Sequence, residues 1–241
     1  MLGLLQKTIR IIEHRYKSFI QRCGLKTRGK IKKVRMTMAD QKIYLASKSP
    51  RRRELLRQIG VDFELLMLRE EAGRHGAVSE VVLPGEAPED YVSRIAREKA
   101  ESGWNAVLWR KLPLRPVLAA DTTVTLDGNI LGKPANTNEA MHMLRSLSGR
   151  THQVLTAVAV IANGELNEAL QRSEVSFVDL SESTLRAYCA LAEPYDKAGS
   201  YAVQGHAAQF IERIHGSYSG IMGLPIFETS RLLINAGIKL L

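Results

Sequence analysis

Five stretches of this sequence gather side chains that could do chemistry together. In Ser47-Lys48-Ser49-Pro50-Arg51-Arg52-Arg53-Glu54 a short apolar run gives way to serines, a proline and then consecutive arginines. Ser is a favoured N-cap and Pro a favoured first helical residue, so the arginines fall in the first turn of a helix. Cations there oppose the helix dipole, and local stability does not account for them. A polyanion gripped jointly by the arginines and by the free backbone N–H groups does. In Ala119-Ala120-Asp121-Thr122-Thr123 an acid follows an apolar strand, at the carboxyl edge where open α/β sheets bind ligands. Such an acid can be a general base or a metal ligand. Gly132-Lys133-Pro134 fixes a lysine in a short loop, where it can meet a phosphate. Residues 193–205 and 216–225 mix polar and small residues over spans too long for plain turns, as functional loops do. Each stretch also has a plainer reading: a basic surface patch, a turn-capping Asp, an exposed loop lysine, an irregular connection.

Several alternatives are excluded by pattern. The sequence has no G-x-G-x-x-G, no G-x-x-x-x-G-K-[ST], no H-E-x-x-H and no G-x-S-x-G. Its six histidines show no metal-ligand spacing.

The elements that must position these groups alternate. The sequence predicts strands at 42–47, 63–68 and 116–120, with Asp121 directly after the third. It predicts helices at 51–59, stopped by Gly60, and at 87–102. Residues 123–126 and 130–131 flank the tight turn Asp127-Gly128-Asn129, and a helix is expected at 137–147. Long strands at 154–161 and 169–180 meet at Asn163-Gly164, a hairpin signal. Helices at 183–191 and 225–236 and short strands or loop edges at 201–204 and 210–214 complete the pattern. This predicts an α/β fold, a mixed β-sheet with flanking helices.

The 241 residues are 45% hydrophobic and 24% charged, ordinary globular values that exclude fibres and wholesale disorder. No apolar run is long enough to span a bilayer as a helix. Two cysteines, Cys23 and Cys189, make neither a disulfide framework nor a zinc site, and a reducing cytoplasmic setting is the default. The net charge of +9 is unevenly placed: residues 1–36 hold eleven Lys/Arg and one acid, Glu13, which leaves the remainder at −1. Residues 1–38 therefore read as a basic N-terminal extension and 39–241 as the functional domain, with no nucleic acid and no stable membrane association expected of that domain. In the extension Leu5, Ile9, Ile12, Tyr16, Phe19 and Cys23 share one helical face. It can be a membrane or partner anchor, a basic tail, or sequence upstream of a true start at Met36 or Met38.

Taken in order, Ser47-Lys48-Ser49-Pro50-Arg51-Arg52, Ala120-Asp121-Thr122, Gly132-Lys133-Pro134, the run from Leu147 to His152 and Asp196-Lys197-Ala198-Gly199 resemble the Maf family of nucleoside triphosphate pyrophosphatases. The likeness extends from residue 42 to the C-terminus. It implies an inosine-triphosphatase-like fold with a central nucleotide cleft, often a homodimer, and hydrolysis of a nucleoside triphosphate to the monophosphate and pyrophosphate with Mg2+ or Mn2+. It also implies that Asp121 accepts the proton of the attacking water. Ser47, Arg51, Arg52, Lys99 and Lys133 are then expected at the phosphates, and Asp121 with Glu71 at the metal. Arg51, Thr122 and Gln204 match the selectivity positions of the dTTP/UTP subgroup. A 7-methyl-GTP pyrophosphatase and a nucleotide-sensing regulator of cell division are the rival readings. Gly220-Ile221-Met222, and the Arg-Glu-Glu run at 69–71 that includes Glu71, depart from the family pattern.

Overall fold

Strand β1 (Ile43–Leu45) is short and buried on both faces, as a central parallel strand requires. The chain then crosses through helix α1 (Pro50–Gln58) to β2 (Phe63–Leu65), which pairs parallel with β1. A computed structural model describes residues 41–67 and 78–241. All of them belong to one compact unit, Met36–Leu241. The expected N-terminal helix face and Glu71 lie outside the described residues.

Helix α2 (Pro88–Trp109) leads to β3 (Val117–Leu126), and a tight turn leads to β4 (Asn129–Leu131). Helix α3 (Thr137–Leu147) precedes the long hairpin β5 (Thr151–Ala162) and β6 (Glu165–Phe177). Its turn residues Asn163 and Gly164 have φ of 53° and 82°, the left-handed pair that a two-residue hairpin demands. Helix α4 (Glu182–Cys189), strand β7 (Ile211–His215), the short α5 (Tyr218–Met222) and α6 (Ile226–Asn235) close the chain. The sheet runs β2-β1-β3-β5-β6-β7, with β4 also on β3. The mixed α/β sheet expected from the sequence is thus the architecture found.

One feature of β3 creates the site. Its far edge is paired with β5 along nearly its whole length, from Val117 to Thr125. Its near edge is shared: β1 pairs only with Val117 and Leu118, and β4 only with residues 124–126. Residues 119–123 are left without a strand neighbour on that side. Alternate residues of β3 face opposite ways. Val117 and Ala119 pack with Val92, Ala96, Ala100 and Val107 of α2. Leu118 and Ala120 pack with Leu55 and Leu56 of α1 and Leu232 and Leu233 of α6. On that same face Val124 and Leu126 pack instead with Ala140, Leu144 and Leu147 of α3. Two helical clusters therefore flank the gap, and the cleft opens between them.

Two expectations need correction, and one open alternative is resolved. Asp121 does not follow a strand; β3 continues through it, because β5 supplies partners to both sides. Helix α2 does not stop at residue 102 but runs to Trp109, since Gly103 is a buried packing residue rather than a cap. Of the two alternatives for residues 201–204, a short strand or a loop edge, the second is found: the chain is irregular there and buried up to Val203.

Candidate active site

A cleft of about 590 Å³ opens at the gap in β3, within the range of small-molecule sites. Ser47, Arg51, Arg52, Lys99, Asp121, Thr122, Lys133 and Gln204 all line it. Those are the sequence-predicted site residues apart from Glu71, and the fold brings them together from α1, α2, β3 and three loops.

Arg52 is fixed from three sides. Its Nε donates to the Gly223 carbonyl at 2.7 Å, Nη1 to Ser47 Oγ at 3.1 Å and Nη2 to Thr122 Oγ1 at 3.3 Å. A guanidinium has five N–H groups, so two stay available to a ligand. Burial pulls its pKa below the arginine norm, partly offset by the charge of Asp121. Gly223 ends α5 at φ 115°, a left-handed conformation that turns its carbonyl to the arginine. Thr122 Oγ1 also meets the buried Thr156 hydroxyl at 3.0 Å, and Thr156 in turn reaches the Gly220 carbonyl at 2.8 Å. Arg51 stands more freely, 3.5 Å from Asp196, whose pKa falls because Lys197 and Arg51 outweigh the effect of burial. The first turn of α1 holds no acid to offset its arginines.

Across the gap, Lys99 Nζ lies 2.8 Å from Asp121 Oδ1 and 2.5 Å from Glu80 Oε1. Asp121 Oδ2 has no hydrogen-bond partner among the described residues. Burial alone would raise the Glu80 pKa, but the hydrogen bond and charge of Lys99, with Lys133 and Arg52, hold it below the usual carboxylate range. Tyr91, also on the cleft, is pushed up to about 12 by burial and by the charges of Asp121 and Glu80.

Glu80 is the residue that sequence reading missed. It sits in an irregular segment with several acids, and nothing in its local pattern separates it from Glu70, Glu71 or Glu86. The available cue was indirect: it precedes the Pro84-Gly85 turn into the helix that carries Lys99.

The donor set suits a hard divalent cation. Two carboxylates converge on one ammonium, so a single cation position is within reach of both. Among the described residues no group of three or more His, Cys, Asp or Glu side chains could hold a metal. Mg2+ and Mn2+ commonly take one or two carboxylates and complete their shell with water and substrate phosphates. No helix of the described residues is long and apolar enough to cross a membrane.

Comparisons with known proteins point to one family. The model of the family described as Maf-like protein matches residues 42–236. A protein of Nitrosomonas europaea named dTTP/UTP pyrophosphatase is 53% identical over 204 residues, covering 85% of this chain and 99% of its own length. One of the same name from Aromatoleum aromaticum is 54% identical over 200 residues, 83% of this chain and 97% of its own. A third, from Chromobacterium violaceum, is 48% identical across its full length and 85% of this chain.

Proposed function

Because the chain belongs to the family of Maf-like proteins, we propose that it is a nucleoside triphosphate pyrophosphatase that cleaves dTTP and UTP to the monophosphate and pyrophosphate. The observation that carries this reading is the convergence of Arg51, Arg52, Lys99 and Lys133 on one cleft around the Asp121 carboxylate. Scattered on separate faces, those cations would have supported no such site.

In this reading the triphosphate lies along the cations, and the N-terminus of α1 adds backbone N–H donors. Asp121 Oδ2 takes a proton from a water molecule as its oxygen bonds to the α-phosphorus. The bond from that phosphorus to the bridging oxygen breaks, and pyrophosphate leaves with the electron pair. Lys99 holds Asp121 by its other oxygen, so the accepting lone pair keeps its aim. Such chemistry asks the protein chiefly for positioning and charge neutralisation. Asp121 and Glu80 would hold Mg2+ or Mn2+; bound, the ion neutralises charge on the phosphates. Gln204 offers a donor and an acceptor on one amide, which match the O4 and N3–H of thymine or uracil. Thr122 lines the same cleft. A site built on such pairing rejects a base that cannot pair.

The homodimer and the cytoplasmic setting belong to the same reading; sedimentation of the purified chain checks the first. Pyrophosphate release from a panel of triphosphates with Mg2+ or Mn2+ tests the activity. Asp121→Asn keeps the shape and removes the proton acceptor, and a loss of roughly 10²–10⁴-fold is expected. A near wild-type rate for that variant would reduce Asp121 to a structural residue, and GTP turnover equal to that of dTTP would overturn the base assignment.

A further inference from the structure

Residues 78–87, which carry Glu80, form neither strand nor helix before α2 begins. A carboxylate on such a segment is poorly placed by its own backbone, yet Glu80 reaches Lys99 at 2.5 Å. The segment is held by side chains of α2. Tyr91 Oη donates to the carbonyl of Glu80 itself at 3.1 Å. Arg94 Nη2 donates to the Val81 carbonyl at 3.1 Å, and Nη1 reaches the Ser79 carbonyl at 3.5 Å. Two side chains at i and i+3, neighbours on one helical face, thus grip three consecutive carbonyls centred on Glu80.

Arg94 is itself locked. Its Nε and Nη2 form a fork on Glu86, at 2.6 and 2.8 Å, and Nη1 lies 3.4 Å from Glu98. Glu86 Oε2 also accepts the Leu83 N–H at 3.0 Å. One planar guanidinium therefore ties both ends of the 79–86 segment to α2. An ammonium is a point donor and cannot reproduce that fork. Arg94 is not among the residues lining the cleft, and its charge is matched by Glu86 and Glu98. It has no route to a phosphate except through the segment it holds.

We propose that Arg94, assisted by Tyr91, is a positioning residue for the reaction, holding the 79–81 backbone so that Glu80 stays on Lys99 beside Asp121. The inference rests on the reading that the triphosphate is cleaved in this cleft with Glu80 at its centre. Outer partners of site carboxylates are commonly worth about 10–100-fold, and small misplacements of reacting groups cost as much.

The test is a double-variant cycle in the full chain, with Arg94→Lys, Glu80→Gln and both together, read as kcat and KM for pyrophosphate release from dTTP. Amide exchange across residues 79–83 gives a readout independent of turnover. Arg94→Lys is expected to lower kcat by about 10–100-fold, with a smaller change in KM and faster exchange in that segment. In the Glu80→Gln background the same change costs little more, because the group it positions is gone. Losses that multiply, or unchanged activity and exchange in Arg94→Lys, overturn the clamp while leaving the cleft reading intact. Wild-type activity in Glu80→Gln overturns the place of Glu80 in that reading and the clamp with it. Should Arg94→Lys fold poorly, Tyr91→Phe removes a single hydroxyl, and the same non-additivity with Glu80→Gln is expected.

Discussion

Acidification between pH 7 and pH 5 should destabilise this protein through one buried histidine. His152 is 2% exposed, and its ring packs edge-on against Phe177 and Tyr201 with centroids 5.0 and 5.4 Å away. Nε2 meets Tyr201 Oη at 2.8 Å, and Nδ1 has no partner. Burial pushes the pKa down from 6.5 to about 4. The unfolded chain therefore binds a proton in the window from 6.5 to 4 that the native chain refuses, and stability falls as pH falls through it. At pH 5 the unfolded histidine is almost fully protonated and the native one hardly at all. That lies 1.5 pH units below the unfolded pKa of 6.5, a cost of about 2 kcal/mol at 1.36 kcal/mol per unit. Carboxylates held down by partners, such as Glu86 at about 2, lose their contribution only below their unfolded value of 4.5, so the window isolates the histidine. Urea unfolding at pH 7, 6 and 5 should show wild type losing about 2 kcal/mol more than His152→Gln, which does not titrate. Equal losses would refute the reasoning.

Gly103→Ala should destabilise, although the same change in an exposed helix gains about 1 kcal/mol. A Cβ there would sit 2.7 Å from Val117 Cγ1 and 3.3 Å from Ala46 Cβ, both in the core, and overpacking of about 1–3 kcal/mol outweighs the gain; a higher urea midpoint would contradict this. Arg52→Lys should lower kcat/KM for dTTP by at least about tenfold, since an ammonium cannot serve Gly223 O, Ser47 Oγ and Thr122 Oγ1 at once. Steady-state kinetics beside a melting curve separate lost activity from lost fold. Glu193→Gln should narrow the dTTP-to-GTP ratio of kcat/KM. Its carboxylate accepts the His206 and Ala207 N–H groups at 3.0 and 3.3 Å and the Tyr188 hydroxyl at 2.8 Å, just beyond Gln204. One amide oxygen cannot replace both carboxylate oxygens, and an unchanged ratio would clear Glu193 of any part in base choice.

Residues that the sequence made legible are those whose chemistry conflicts with local stability. Arginines in the first turn of α1 run against the dipole, and a ligand explains them where local stability does not, so Arg51 and Arg52 stand out in the sequence alone. The remainder was set by partners distant in sequence. The polar run Asp121-Thr122-Thr123 reads as the end of a strand, but β5 pairs with it through Thr125 and holds it extended. The helix expected at 87–102 ends just before Gly103, yet α2 runs on through it because Gly103 packs closely on Val117 of β3, and packing overrides propensity there. Glu80 carries no local signal because nothing local places it: its carbonyl is held by Tyr91, its neighbours by Arg94 and its carboxylate by Lys99, all from a helix that begins eight residues later. The asymmetry follows from the chemistry. Cations that bind a polyanion can be supplied by any element pointing the right way, and their excess shows in composition. An acid that must stand beside another acid in the same site has to be forced into place by contacts, and those contacts, not the acid, are where its signature lies.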